Sequence, residues 1–265
     1  KLWINCGSIR CVMDSHTVDG HLTDDEMMRY ARQILLDDWD VTSQIRLKNS
    51  HAIIVGMGGL GCPIAQILVR AGIGSIDIID HDVVDVSNLQ RQILYTALDV
   101  GKSKAMAAKD ALQKQNEWVS ITAITDKITQ TNTDQFIKHT DLVIDCTDNF
   151  LIRDILNRTC HQHKLALLST SAIAQTGQIA LYTTDTACYQ CVFGDALGDE
   201  MNCSTSGVLA STVSVIGALA SQVALSFLGK HINPIANELL IWQGEQFQLK
   251  KLNICRDEHC SVCGA

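Results

Sequence analysis

Ala52-Ile53-Ile54-Val55-Gly56-Met57-Gly58-Gly59-Leu60-Gly61 decides the fold of this 265-residue chain. Four apolar residues ending in glycine read as a buried parallel strand. Gly56, Gly58 and Gly61 then match G-x-G-x-x-G, and a helical pattern follows to about Ala71. Glycines there permit a tight turn and close backbone approach, so helix N–H groups and the helix dipole can meet phosphate. Ser75 to Asp80 reads as the next strand, with Asp80 placed to accept hydrogen bonds from ribose hydroxyls. The motif implies a nucleotide without choosing among NAD, FAD and ATP. No G-x-x-x-x-G-K-[ST] is present, which argues against P-loop chemistry.

Outward from this turn the alternation continues. Leu22 to Leu36 has helical spacing, and Thr23 and Glu26 are placed for a capping box. Lys102 to Asn116 and Phe150 to His161 read as helices, and Val119 to Ile124, Leu142 to Asp145 and Leu165 to Leu168 as strands. The pattern predicts an α/β fold, a doubly wound, mostly parallel Rossmann-like sheet. After Gln175, Gln178 to Thr183 and Leu239 to Leu252 read as antiparallel strands around a long helix from Gly207 to Leu228. That segment carries Ser211, Thr212, Ser214, Ser221 and Gln222, and so reads as a buried helix rather than a membrane span. Residues 1–12 read as an extension foreign to the fold and 13–265 as one domain. Within it, about 13–175 would bind nucleotide, and 176–265 would form a partly antiparallel, zinc-binding elaboration.

A formal net charge of −8 excludes general affinity for nucleic acid or anionic membrane and favours a partner with a basic patch. The start lacks a secretory signal pattern. Eleven cysteines in such a chain point to metal ligands and free thiols in a reducing cytoplasm, not to a disulfide framework. Cys188-x-x-Cys191 and Cys260-x-x-Cys263 form two knuckles suited to a closed, structural tetrahedral Zn²⁺ site.

The segment Ser87-Asn88-Leu89-Gln90-Arg91-Gln92 narrows the choice of nucleotide. Transfer chemistry on a triphosphate needs fixed cations, polar groups and a carboxylate for Mg²⁺. Arg91 offers a guanidinium fork, Asn88 and Gln90 offer amides, and Lys104 opens a helix close by. Asp148, in Asp145-Cys146-Thr147-Asp148-Asn149, would stand at the carboxyl edge of the sheet. Singly, each has a plain reading: a solvated cation, a helix-face lysine, a helix cap. Their joint placement at one edge favours ATP.

With Arg29-Tyr30-Ala31-Arg32-Gln33-Ile34, the glycine turn, Ser87 to Gln92, Asp145 to Asn149 and both cysteine pairs, the chain resembles the ubiquitin-activating-like adenylyltransferases, the family of HesA, MoeB and ThiF. The likeness runs from about Leu22 to Gly264. It implies that Gly59 and Asp80 contact the nucleotide, with Ser87, Leu89, Gln90 and Asn149 around it. Asn88, Arg91 and Lys104 would meet the phosphates, and Asp148 would ligate Mg²⁺. Arg32 would reach the triphosphate from the second subunit of a homodimer. The implied substrate is a ubiquitin-like sulfur carrier ending in Gly-Gly, adenylated at its carboxylate and then thiolated by a separate sulfur donor. The stretch Arg256 to Cys260 places the molybdopterin carrier ahead of the thiazole one. Cys203 matches the family's crossover-loop cysteine and stands as a candidate nucleophile beside the reading of an inert thiol. Two other readings are an NAD-dependent oxidoreductase and a catalytically silent zinc-stabilised module that binds a ubiquitin-like protein.

Overall fold

The computed structural model describes residues 20–194 and 207–264. Eight strands form one sheet in the order β3-β2-β1-β4-β5-β6-β7-β8. β1 (His51–Val55), β2 (Ser75–Ile79), β3 (Ser120–Ile124), β4 (Leu142–Asp145) and β5 (Ala166–Ile173) pair in parallel. β6 (Thr176–Tyr182), β7 (Glu238–Gln243) and β8 (Gln248–Asn253) extend the sheet antiparallel. The chain winds outward from β1 to β3 and then crosses to β4. The crevice between the carboxyl ends of β1 and β4 is therefore the switch point where such sheets bind ligands.

Strand residues alternate between two apolar layers. Ile54, Ile76, Ile78 and Ile144 face one core, shared with α2 (Val41–Lys48), α3 (Gly61–Ala71), α4 (Lys104–Gln113) and α8 (Ala210–Lys230). Ile53, Val55 and Val143 face the other, packed by α5 (Thr133–Ile137) and α6 (Phe150–His163). α7 (Tyr189–Phe193) packs beside α6. α8 is long and apolar enough to cross a membrane, yet 61% of its apolar window is buried here. It packs on α2, α3, β5 and β6, as expected of a core helix.

α1 (Asp24–Ile34) opens with the expected capping box, Thr23 and Glu26 exchanging backbone hydrogen bonds. Several boundaries differ from the sequence reading, three of them for a visible reason. α4 starts two residues later than Lys102 because the Ser103 side chain caps it. α6 runs on to His163 and stops at Lys164, which takes a left-handed conformation. β5 runs beyond Leu168 through polar Ser169, Thr170 and Ser171. Its buried Thr170 hydroxyl is satisfied by the Asp145 carbonyl at 2.7 Å, so the polar stretch can sit in the sheet.

The glycine turn is dictated by backbone contact. Gly56 has φ +94°, and a Cβ there would lie 3.0 Å from the Cys146 carbonyl oxygen. A Cβ on Gly61 would lie 2.0 Å from the Gly56 carbonyl oxygen, whereas one on Gly58 would meet only the Gln92 amide at 3.7 Å. Gly61→Ala should therefore lower stability by about 3 kcal/mol through overpacking. Gly58→Ala should stay within about 0.5 kcal/mol of wild type in denaturant titrations.

Candidate active site

Asp80 locks the glycine turn to the end of β2. Its two carboxylate oxygens accept the N–H groups of Met57 at 2.7 Å and Asp82 at 2.8 Å. Burial pushes its pKa up, and the Met57 and Asp82 amides oppose that shift. Each oxygen keeps a further lone pair, and Asp80 lines a cavity of about 750 Å³. This volume suits a nucleotide-sized ligand. Leu60, the residue before α3, offers no side-chain cap. Pro63 has no N–H, and the N–H groups of Cys62 and Ile64 donate to the Gly58 and Leu60 carbonyls. What the helix start offers an anion is therefore the positive end of its dipole behind Gly58, Gly59 and Leu60. Gly59 also lines the cavity, and a Cβ there would press on Val213 of α8 at 3.2 Å.

The 87–92 segment divides by role. Asn88, Arg91 and Gln92 line the cavity, while Ser87, Leu89 and Gln90 do not. Their expected nucleotide contact does not run through this cavity wall. The Ser87 hydroxyl is occupied by the Asp85 carboxylate at 2.6 Å, Leu89 packs on the core, and Gln90 is exposed. Arg91 donates to the Ser87 carbonyl at 3.1 Å, which steers its fork. Gln92, given no role of its own from sequence, is 3% exposed. Its Oε1 has no hydrogen-bond partner among the described residues. Lys104 is buried and lines the cavity with its ammonium 2.9 Å from the carboxylate of Asp82. Burial of Asp82 disfavours its charge, yet the Lys104 hydrogen bond and charge outweigh this and hold its pKa low. Sequence reasoning missed Asp82. The spacing Asp80-x-Asp82 after β2, two carboxylates on one turn, was the available signal.

Asp148 and Asn149 reach the same cavity from β4, and the Asn149 side-chain oxygen caps α6 at the Ile152 amide. Asn149 thus has a structural task besides its place on the cavity wall, where a nucleotide contact is expected. Asp145 is fully buried. One of its oxygens is held by Thr147, and the other lies 3.8 Å from Arg153 Nε with no hydrogen bond among the described residues. Burial pushes its pKa up and the Arg153 charge opposes. Arg153 also lines the cavity and donates to the carbonyls of Thr147 and Thr170. Sequence reasoning missed it too, although a cation among Ile152, Ile155 and Leu156 on a buried helix stripe is an unusual placement. Arg32 is exposed near the end of α1 and takes no part in the cavity wall. Cys203 lies outside the described residues. The exposed Asp148 carboxylate is a hard oxygen donor on the cavity wall, a residue type that would suit Mg²⁺.

Cys188, Cys191, Cys260 and Cys263 bring their sulfurs within 4.8 Å of one another. Separations of 3.8 Å (188–191), 3.6 Å (188–260) and 3.2 Å (191–263) are too long for disulfides. A tetrahedron with Zn–S bonds of about 2.3 Å requires S···S distances of roughly 3.8 Å, so the four fit zinc. Backbone N–H groups of Asp257 and Val262 and the Asn157 amide point at Cys191, Cys260 and Cys188. Such donors stabilise thiolates. Cys255 is exposed and outside the cluster.

A doubly wound sheet with cations and a carboxylate around a nucleotide-sized switch-point cavity defines a nucleotide-dependent group-transfer enzyme. Residues 30–263 match the ThiF family, and the chain belongs to it. It is 37% identical over 248 residues to the molybdopterin-synthase adenylyltransferase of Escherichia coli (strain K12), covering 92% of this chain and 98% of that protein. It is 36% identical over 245 residues to the sulfur carrier protein ThiS adenylyltransferase of the same organism, at 92% and 97% coverage. An adenylyltransferase and sulfurtransferase of Drosophila persimilis is 38% identical over 256 residues, of which this chain spans 57% of the length. Among solved structures, Escherichia coli MccB with ATP superposes with a TM-score of 0.76 at 27% identity, covering 85% of this chain and 70% of that one.

The cysteine geometry makes a direct prediction. Cys260→Ser should bind zinc substoichiometrically and melt well below wild type, because structural zinc binding contributes to folding. Metal analysis and thermal melts of the variant check this, and an unchanged melting temperature would remove the metal from the fold's support.

Proposed function

We propose that this chain adenylates the C-terminal Gly-Gly carboxylate of a small ubiquitin-like sulfur carrier, using ATP. The observation that carries the reading is the convergence of Arg91, Lys104 and Asp148 on the cavity at the uncapped start of α3. An oxidoreductase would need none of the three, and a docking module would have no use for a buried lysine held at a nucleotide-sized cavity. The adenylyltransferase names of its relatives support the same choice.

In this reading Asp80 holds the ribose hydroxyls and Gly59 lies against the nucleotide. Arg91, Lys104 and the positive end of the α3 dipole offset the charge of the triphosphate, and Asn88 holds it. A carrier carboxylate oxygen attacks the α-phosphorus. The bond from that phosphorus to the bridging oxygen breaks, and its electron pair leaves with pyrophosphate. The product is an acyl-adenylate. When bound, Mg²⁺ held by Asp148 would offset charge on the phosphates. Fixed cations aimed at the developing charge supply most of the rate enhancement in such chemistry.

The nucleotide part is assigned to residues 13–175 and carrier docking to 176–265. Gln178, Tyr189 and Phe193 of the second part line the cavity's far side, where a carrier tail would enter. Exposed Phe247, packed on Trp242, and Leu249, paired with Trp242, give the carrier an apolar surface on the antiparallel extension. α1 and the residues after it expose Met28, Leu35 and Leu36 beside Arg32, which supports a second copy of this chain bringing Arg32 to its partner's cavity. The molybdopterin carrier is placed ahead of the thiazole carrier. A separate protein would supply sulfur to the adenylate. The cytoplasm suits the reduced thiols of the described cysteines.

Carrier-dependent ATP–pyrophosphate exchange tests the reading, with each of the two carriers purified. The molybdopterin carrier is expected to stimulate exchange more strongly, and absence of exchange with both would sink the proposal. Arg91→Ala and Lys104→Ala should each lower exchange by about 100-fold or more. Their melting temperatures should stay close to wild type, since Asp82 is half-exposed and can hydrate when Lys104 is removed.

A further inference from the structure

α6 belongs to two sites at once. Its first turn shapes the cavity: Asn149 caps it, and Arg153 holds the carbonyls of Thr147 and Thr170. Thr147 directly precedes Asp148, so this bond fixes the stem on which that carboxylate stands. One turn further along the same face, Asn157 grips the first cysteine knuckle. Its Oδ1 accepts the Tyr189 N–H at 3.0 Å, and its Nδ2 donates to Cys188 Sγ at 3.7 Å. Arg153 and Asn157 are buried, at 8% and 3% exposure, so neither can exchange its partners for water.

Tyr189 closes the path between the two turns. It follows Cys188, is buried, lines the cavity, and stacks on Phe193 with ring centroids 4.6 Å apart. A rigid helix pinned at one turn to a metal-binding thiol and at the next to the Asp148 stem transmits displacement between them.

We propose that Arg153 and Asn157 are positioning residues that couple metal occupancy of the four cysteines to the placement of Asp148 in the cavity. The proposal rests on the reading of Asp148 as the carboxylate for the nucleotide's divalent cation. Without the metal the four sulfurs lose their common centre, Cys188 shifts, and Asn157 moves with it. Arg153 cannot absorb the shift, because its planar fork is shared between two carbonyls and the buried Asp145. The metal cluster then acts at a distance as an outer support for the catalytic carboxylate, in the manner of partners that orient metal ligands.

The test needs no turnover. Amide hydrogen exchange of residues 145–152 and calorimetric ATP binding, with and without Mg²⁺, are measured on four samples of the full chain. These are the zinc-loaded wild type, the chelator-treated wild type, and zinc-loaded Asn157→Ala and Arg153→Lys. Chelation and Asn157→Ala should speed exchange in residues 145–152 and weaken Mg²⁺-dependent ATP binding by about tenfold, with Mg²⁺-free binding unchanged. Arg153→Lys should speed exchange in residues 145–152 while retaining full zinc content. Because Arg153 itself lines the cavity, exchange and not ATP binding is its readout, and the proposal stays testable if Asn157→Ala does not fold. Faster exchange confined to residues 188–191 and 260–263 after chelation would overturn it, as would an unaltered 145–152 segment in Arg153→Lys. A wild type that does not bind Mg-ATP at all would instead remove the adenylation reading on which the coupling rests.

Discussion

Backbone meets backbone where β1 ends, and the placement of every other group follows from that contact. Gly56 sits at φ +94° against the Cys146 carbonyl, and Gly61 comes so close to the Gly56 carbonyl that no side chain fits between them. Because nothing larger than hydrogen intervenes, the turn after β1, the start of α3 and the loop after β4 share one crevice. Asp80 fastens this arrangement by accepting the Met57 amide, and Tyr95 fastens it again by donating its hydroxyl to the Met57 carbonyl at 2.8 Å. The glycine turn at the start of α3 and the Asp148 stem thereby face one volume.

The charges around that volume are held in place before any ligand arrives. Lys104 is kept by Asp82, Arg153 by Asp145 and two carbonyls, and Arg91 by the Ser87 carbonyl. Such pre-placement matters for phosphate chemistry, since a cation that must reorganise during reaction stabilises the transition state less. Asp82 has a second consequence: an anionic ligand must compete with it for Lys104. In a chain this acidic, the cavity balances Asp80, Asp82, Asp126 and Asp148 with Arg91, Lys104, Lys127 and Arg153, so it repels a triphosphate less than the chain's net charge would suggest.

Local chemistry was legible in the sequence, and partnership across the fold was not. The strand–glycine–helix unit, the Thr23–Glu26 box and the two C-x-x-C knuckles each announce themselves within a few residues. Arg91, Lys104 and Asp148 were legible as a set because their placement at strand ends follows from the βαβ alternation. Ser87, Leu89 and Gln90 were grouped with them by adjacency, although only some faces of a short loop can point into a cavity. Asp82, Gln92 and Arg153 were missed for a common reason. Their importance lies in burial and in partners from other elements, such as Lys104 for Asp82, and β5's Thr170 carbonyl for Arg153. The polar half of β5 was hidden likewise, because Thr170 is satisfied by a carbonyl on β4 that no local window reveals.

The chemistry assigned to this crevice is transfer of an adenylyl group onto a carboxylate. Intact-mass analysis of a Gly-Gly-ending carrier, incubated with the chain and Mg-ATP and trapped in acid, tests it most directly. Adenylation predicts a carrier heavier by one adenylyl group, with pyrophosphate released in equal amount. A carrier that gains a phosphoryl group, or that stays unmodified while ATP is consumed, would contradict it.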